Sequence, residues 1–145
     1  MDLGCRICGA SRTSELSKIP VIAIVDDDNS VREATRGLVR SLGYIAEAFP
    51  SAEDYLQSDR VRETACLITD VQMPGMSGVD LQDRLIDLGH HTPIIFMTAF
   101  PTESLRVRVA EGGAYGFLCK PYDEQNLLDC LLKALSMDRP KGRDQ

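Results

Sequence analysis

Along the chain, short uninterrupted apolar runs alternate with stretches in which apolar residues recur every three or four positions. Val21 to Val25 (VIAIV) is continuous and largely β-branched, the pattern of a parallel strand covered by helices on both faces. Ser30 and Glu33 then form a capping-box signature, Val31, Ala34, Leu38 and Leu42 supply an apolar stripe, and Gly43 ends the helix. The same alternation predicts a strand over Tyr44 to Phe49, a helix over Ser51 to Gln57, a strand over Cys66 to Asp70 and a helix from about Gly78 to Leu88. It continues with a strand over Ile94 to Thr98, a helix from about Thr102 to Glu111 and a strand over Gly116 to Cys119. A final helix runs from about Asp123 to Leu135, with Leu128, Leu131, Leu132 and Leu135 on one face.

Five βα units in succession define an α/β fold, a doubly wound parallel sheet with helices on both sides and right-handed crossovers. In such sheets ligands sit outside the carboxyl ends of the strands, where strand order reverses. The first strand ends in Asp26, Asp27 and Asp28, the third in Asp70, the fourth in Thr98, and the fifth in Lys120 followed by Pro121. Acids, a hydroxyl and an ammonium group therefore gather on one rim. Carboxylates this close raise one another's pKa unless a cation neutralises them. Hard oxygen ligands with open positions suit Mg²⁺, which favours sites shared with phosphate oxygens. A carboxylate is itself a nucleophile toward phosphoryl groups, which accounts for a single acid at Asp70 held forward of the Met73-Pro74-Gly75 turn. An aspartate at a strand end can also cap the next helix, the role expected of Asp28. Capping does not call for three acids on neighbouring strands.

Composition narrows the picture. With 145 residues, 43% of them hydrophobic, the chain fits one domain with a proper core. A net charge of −6 without a Lys/Arg cluster argues against a nucleic-acid surface. Five cysteines, an odd number, with no signal peptide and no long apolar run, argue against a secreted disulfide framework or a membrane span, so the expected location is cytoplasmic. Cys5 and Cys8 form a C-x-x-C that invites zinc, but no second Cys/His pair follows nearby. Residues 1–18 are therefore expected to be a flexible extension, 19–137 the domain and 138–145 a tail. Cys66, Cys119 and Cys130 lie in apolar segments and are expected in the core.

The constellation of VDDD at Val25 to Asp28, DVQMPGMSG at Asp70 to Gly78, Thr98-Ala99 and Lys120-Pro121 closely resembles the receiver domain of two-component response regulators. The resemblance covers roughly Ile19 to Met137. It implies a flavodoxin-like (βα)5 sheet of strand order 2-1-3-4-5. It makes Asp70 the phosphoacceptor, Asp27 a direct Mg²⁺ ligand, Asp26 a ligand through water, and the backbone carbonyl of Gln72 a further ligand. Lys120 would pair with the phosphoryl oxygens, the bond to Pro121 would be cis, Thr98 would donate its hydroxyl to the phosphoryl group, and Phe117 would be the aromatic switch. Such a protein catalyses only its own phosphorylation and dephosphorylation and is not otherwise an enzyme.

The partner this implies is a sensor histidine kinase. The PGMSG form of the third loop looks most like the group that often carries a DNA-binding module downstream, and Gln145 comes too soon for one. The readout expected is thus a protein contact: a phosphotransfer protein, another target, or a homodimer through helix four, strand five and helix five. Gln72 and Phe100, each two residues beyond a site residue, are expected to flank the path of water attacking the acyl phosphate. Two other classes compete. A constitutive interaction module would not need the intact acids, threonine and lysine. A flavodoxin-like carrier would want a Ser/Thr/Gly-rich phosphate loop where this chain has DDDNS.

Overall fold

The computed structural model of the protein describes residues 19–137. Five parallel strands form one sheet: β1 (Val21–Val25), β2 (Ile45–Phe49), β3 (Thr64–Asp70), β4 (Ile94–Thr98) and β5 (Gly116–Cys119), in the order β2-β1-β3-β4-β5. Between and after them lie α1 (Asn29–Ser41), α2 (Ala52–Gln57), α3 (Gly78–Asp87), α4 (Glu103–Glu111) and α5 (Glu124–Met137). This is the flavodoxin-like arrangement expected from the sequence. A short 3₁₀ turn at Val61–Glu63, which no sequence pattern marked, leads into β3 two residues earlier than expected.

Successive strand residues point to opposite faces, and the core divides accordingly. Ile22, Ile24, Ile68 and Met97 pack with Val39 of α1 and Leu127, Leu131 and Ala134 of α5. On the other face Ala23, Val25, Leu67 and Phe96 pack with Tyr55 of α2, Leu81 and Leu85 of α3 and Val109 of α4. β1 and β4 are buried along their whole length, which is why their sequences run apolar without alternation.

The helix ends and faces correct several expectations. Asp28 caps α1 as expected, its carboxylate accepting from the Ser30 and Val31 N–H groups at 2.9 and 3.2 Å, but the capping box expected of Ser30 and Glu33 does not form. Glu33 pairs instead with Arg36 at 2.9 Å. The capping box sits at α3, where Ser77 and Asp80 exchange side-chain and backbone hydrogen bonds. On α1 the fully buried residues are Thr35 and Val39, Leu38 and Leu42 of the expected stripe pack against the same core, and Val31 and Ala34 line an open groove with Leu38 beside Pro121 and Tyr122. Thr35 is buried because its hydroxyl meets the Tyr122 hydroxyl at 2.6 Å, a pairing that an apolar stripe does not reveal. On α5 the core face is Leu127, Leu131 and Ala134, and Leu132 is 51% exposed. Leu127, Leu131 and Ala134 follow the i, i+4, i+7 spacing of one helix face, which leaves Leu132 turned toward solvent. Of the cysteines, Cys66 is buried, Cys130 half-buried and Cys119 exposed. Cys119 is the last residue of the edge strand β5, so no further strand covers it. Cys5, Cys8 and the two expected tails lie outside the described residues.

The corrected register of α5 has a direct consequence. Leu131→Ala should cost about 2–5 kcal/mol in urea unfolding, because it opens a cavity in a fully packed site. Leu132→Ala should stay within about 0.5 kcal/mol. Equal losses would place both leucines in the core and contradict this packing.

Candidate functional site

The order of the sheet reverses between β1 and β3, and the crevice outside their carboxyl ends collects the predicted residues. Asp26 directly follows β1 and Asp70 closes β3. Both are buried, whereas Asp27 is exposed. Carboxylate oxygens of Asp26, Asp27 and Asp70 lie within 4.8 Å of one another. Lys120, arriving from the end of β5, sets its Nζ 3.0 Å from Asp26 Oδ2 and 3.3 Å from Asp70 Oδ1. The Lys120-Pro121 peptide bond is cis, as the resemblance implied.

Asp26 and Asp70 are each set by the backbone around them. Asp26 Oδ1 accepts from the Asp28 N–H at 2.9 Å, while the Asp26 carbonyl accepts from Arg32 Nη1 at 2.9 Å. Beyond Asp70 the chain turns at once: Val71 N–H donates to Met97 O and Gly78 N–H to Val71 O, each at 2.9 Å. Any Cβ on Gly78 would collide with the Asp70 carbonyl, so α3 can start this close to the strand only with glycine. Gly75 has φ +76°, and Glu53 of α2 accepts from the Met76 N–H at 3.1 Å, tying the turn to the neighbouring helix. Arg32, Glu53 and the Tyr122–Thr35 pair were not anticipated as supports. The place of Arg32 one turn into the helix after the acids is a signal for such a support, but nothing in the sequence points from Glu53 to Met76.

Thr98 is buried at the end of β4. Its hydroxyl donates to Gln72 Oε1 at 3.1 Å and accepts from the Phe100 N–H at 3.0 Å. Phe117 is half-buried on β5, with the Arg106 guanidinium of α4 at 4.7 Å from its ring centroid. Phe100 departs from expectation: it is 70% exposed, so in this state its ring does not cover the site. It follows the strand end on a loop whose backbone, not its side chain, is held by Thr98.

The electrostatics suit a site that takes up a cation. Burial, partly offset by Lys120 and reinforced by Asp26, pushes the Asp70 carboxyl from an ordinary 3.8 to about 6. Burial alone would lower the Lys120 pKa, but its pairing with Asp26 and Asp70 outweighs this and holds it above the ordinary value. Asp26 Oδ2, buried and met by the Lys120 ammonium at 3.0 Å, keeps lone-pair capacity for a further cation. A set of hard oxygens with such spare capacity fits a divalent ion like Mg²⁺.

A doubly wound parallel sheet of order β2-β1-β3-β4-β5 with an acidic, lysine-bridged crevice at its switch point places the chain in the flavodoxin-like class. The response regulator receiver domain profile matches residues 22–132, and the chain belongs to that family. Nodulation protein W of Bradyrhizobium diazoefficiens is 40% identical over 137 residues, covering 94% of this chain and 60% of its own length. The response regulator protein TmoT of Ectopseudomonas mendocina is 43% identical over 117 residues, covering 81% of this chain and 53% of its own. The chain thus spans little more than half the length of these relatives. The solved response regulator StyR superposes with a TM-score of 0.78 at 41% identity, over 83% of this chain and 61% of that one. FixJ-N follows at 0.73 and 28% identity, over 82% and 95%. No helix among the described residues is long and apolar enough to cross a membrane.

The raised pKa of Asp70 carries a sign. Because the folded chain holds this proton more tightly than the unfolded chain, ionising Asp70 destabilises the fold, and stability falls as pH rises from about 4 to about 6. With metal chelated at pH 7.5, Asp70→Asn should therefore be more stable than the parent by about 1–3 kcal/mol. The gain should vanish below about pH 4. Urea midpoints across pH measure it, and a variant less stable at neutral pH would contradict the assigned direction.

Proposed function

We propose that Asp70 is the phosphoacceptor of this receiver domain and that a cytoplasmic histidine kinase supplies the phosphoryl group from a phosphohistidine. The observation that carries this reading is the buried Asp70 carboxylate, with the Lys120 ammonium 3.3 Å away and two further acids in the same crevice. The burial of Asp70 keeps competing water scarce, and a pKa near 6 leaves it largely ionised, hence nucleophilic, at neutral pH. A carboxylate oxygen of Asp70 attacks phosphorus, the P–N bond breaks, and its electron pair stays on the imidazole, which takes up a proton. Asp26, Asp27, Asp70 and the Gln72 carbonyl would hold the Mg²⁺, which supplies positive charge to the equatorial oxygens. Lys120, already between Asp26 and Asp70, supplies a second cation on the protein's own side.

The apolar groove formed by Val31, Ala34, Leu38, Pro121 and Tyr122 opens directly beside Lys120, which gives the donor kinase a surface next to the acceptor. On the opposite flank, Thr98 and Phe117 lie on adjacent strands, Thr98↔Cys119 and Phe96↔Phe117 being in register. Drawing the Thr98 hydroxyl toward the phosphoryl group would free space for Phe117, changing the α4–β5–α5 surface that a target protein or a second copy reads. The complete set of acids, hydroxyl and lysine speaks against a constitutive module, because such a module would have no need to bury a charged crevice.

Incubation with acetyl phosphate tests the assignment. Intact mass should show one added phosphoryl group in the presence of Mg²⁺, none for Asp70→Asn, and at least a tenfold slower gain for Asp27→Ala, equivalent to about 1.4 kcal/mol or more in the barrier. Undiminished labelling of Asp70→Asn, or labelling at the parent rate in EDTA, would remove Asp70 and the metal from these roles.

A further inference from the structure

The Thr98 hydroxyl has a single proton, and in the resting chain that proton is committed. It goes to Gln72 Oε1 at 3.1 Å, while the Phe100 N–H at 3.0 Å fills an acceptor position on the same oxygen. Thr98 is fully buried, so bulk water offers no replacement acceptor. Gln72 is well placed to persist as the partner. Its backbone lies in the turn fixed on one side by the Val71 N–H bond to Met97 O and on the other by Gly78 N–H to Val71 O. The β3–β4 register, Asp70↔Met97, sets Thr98 one step beyond the acceptor aspartate on the adjoining strand, facing that turn.

We propose that Gln72 is a positioning residue that acts through Thr98: its carboxamide holds the hydroxyl in the resting chain and competes with a phosphoryl oxygen on Asp70 for the same proton. The inference rests on the reading of Asp70 as phosphoacceptor. Gln72 then sets how readily the domain passes from the resting to the phosphorylated arrangement. Its side chain acts in this way separately from the carbonyl proposed above as a metal ligand. Because Thr98 Oγ1 also accepts from Phe100 N–H, a change of partner for the hydroxyl is transmitted to the backbone at the start of the β4–α4 loop. The same hydrogen bond gives the exposed Phe100 residue a link to the site through its amide.

The test is a double-mutant cycle on the whole chain with Mg²⁺ and beryllofluoride, a phosphoryl mimic, followed through the Phe100 backbone amide by NMR. Gln72→Met keeps the side-chain length and removes the acceptor; Thr98→Val keeps the shape and removes the hydroxyl. Gln72 is exposed, so its substitution leaves the core intact. Loss of one competing hydrogen bond should tighten mimic binding in Gln72→Met by about three- to tenfold. In the Thr98→Val background the same change should alter binding by less than about twofold. Equal affinity in Gln72→Met, or the full gain persisting without the hydroxyl, would overturn the proposal. A gain matched by an equal change in Mg²⁺ affinity measured without mimic would overturn it too, by assigning the effect to the metal site. No response of the parent chain to the mimic would instead defeat the acceptor reading itself, an outcome distinct from these three.

Discussion

Mutual repulsion among carboxylates at one sheet edge is the constraint around which this structure is arranged. Asp26 and Asp70 are both buried, and Asp27 stands beside them. Without compensation, burying such charges costs several kcal/mol for each ion. Lys120 bridges Asp26 and Asp70 and offsets part of that cost, yet Asp70 still titrates near 6. One ammonium group serves two buried acids with a third beside them, so the crevice retains an appetite for further positive charge. A site with that imbalance is suited to bind a divalent cation and then a phosphoryl group in turn.

Much of the surrounding architecture holds this imbalance in place. The two-sided core makes β1 and β3 rigid, with Ile24 and Ile68 on one face and Val25 and Leu67 on the other. Arg32 fixes the Asp26 carbonyl, Glu53 fixes the turn after Asp70, and the Tyr122–Thr35 hydrogen bond ties the segment after Lys120 to α1. Arg32 and Thr35 belong to α1 and Glu53 to α2, which pack on opposite faces of the sheet, so the geometry of the crevice depends on both layers. The hydroxyl of Thr98, by contrast, donates to a single side chain on a surface turn and accepts from the Phe100 N–H of the following loop.

The strands and the acids were legible because they obey local rules. A strand buried on both faces must run apolar, and β4 and β5 fall where the pattern put them. Charged residues at strand ends are visible wherever that run stops, and so Asp26, Asp27, Asp70 and Lys120 could be placed on one rim. Helix faces were less legible, because burial depends on what lies opposite. Thr35 is buried through a tyrosine 87 residues away, and Leu132 is exposed although it is spaced like a core residue. At α1 the cap expected of Asp28 is present, but the capping box that Ser30 and Glu33 spell does not form, because Asp28 already holds the first free N–H groups of the helix. Phe100 was assigned to the site by its offset from Thr98, but offset fixes a backbone position and leaves the direction of the ring to the loop.

The most direct test of the central claim is to trap the acyl phosphate chemically. The chain is treated with acetyl phosphate with and without Mg²⁺, reduced with borohydride, which converts a phosphorylated aspartate to homoserine, and mapped by peptide mass spectrometry. The account predicts homoserine at position 70 alone, and only where Mg²⁺ was present. Homoserine at Asp26 or Asp27, or its formation at position 70 without any divalent ion, would contradict it.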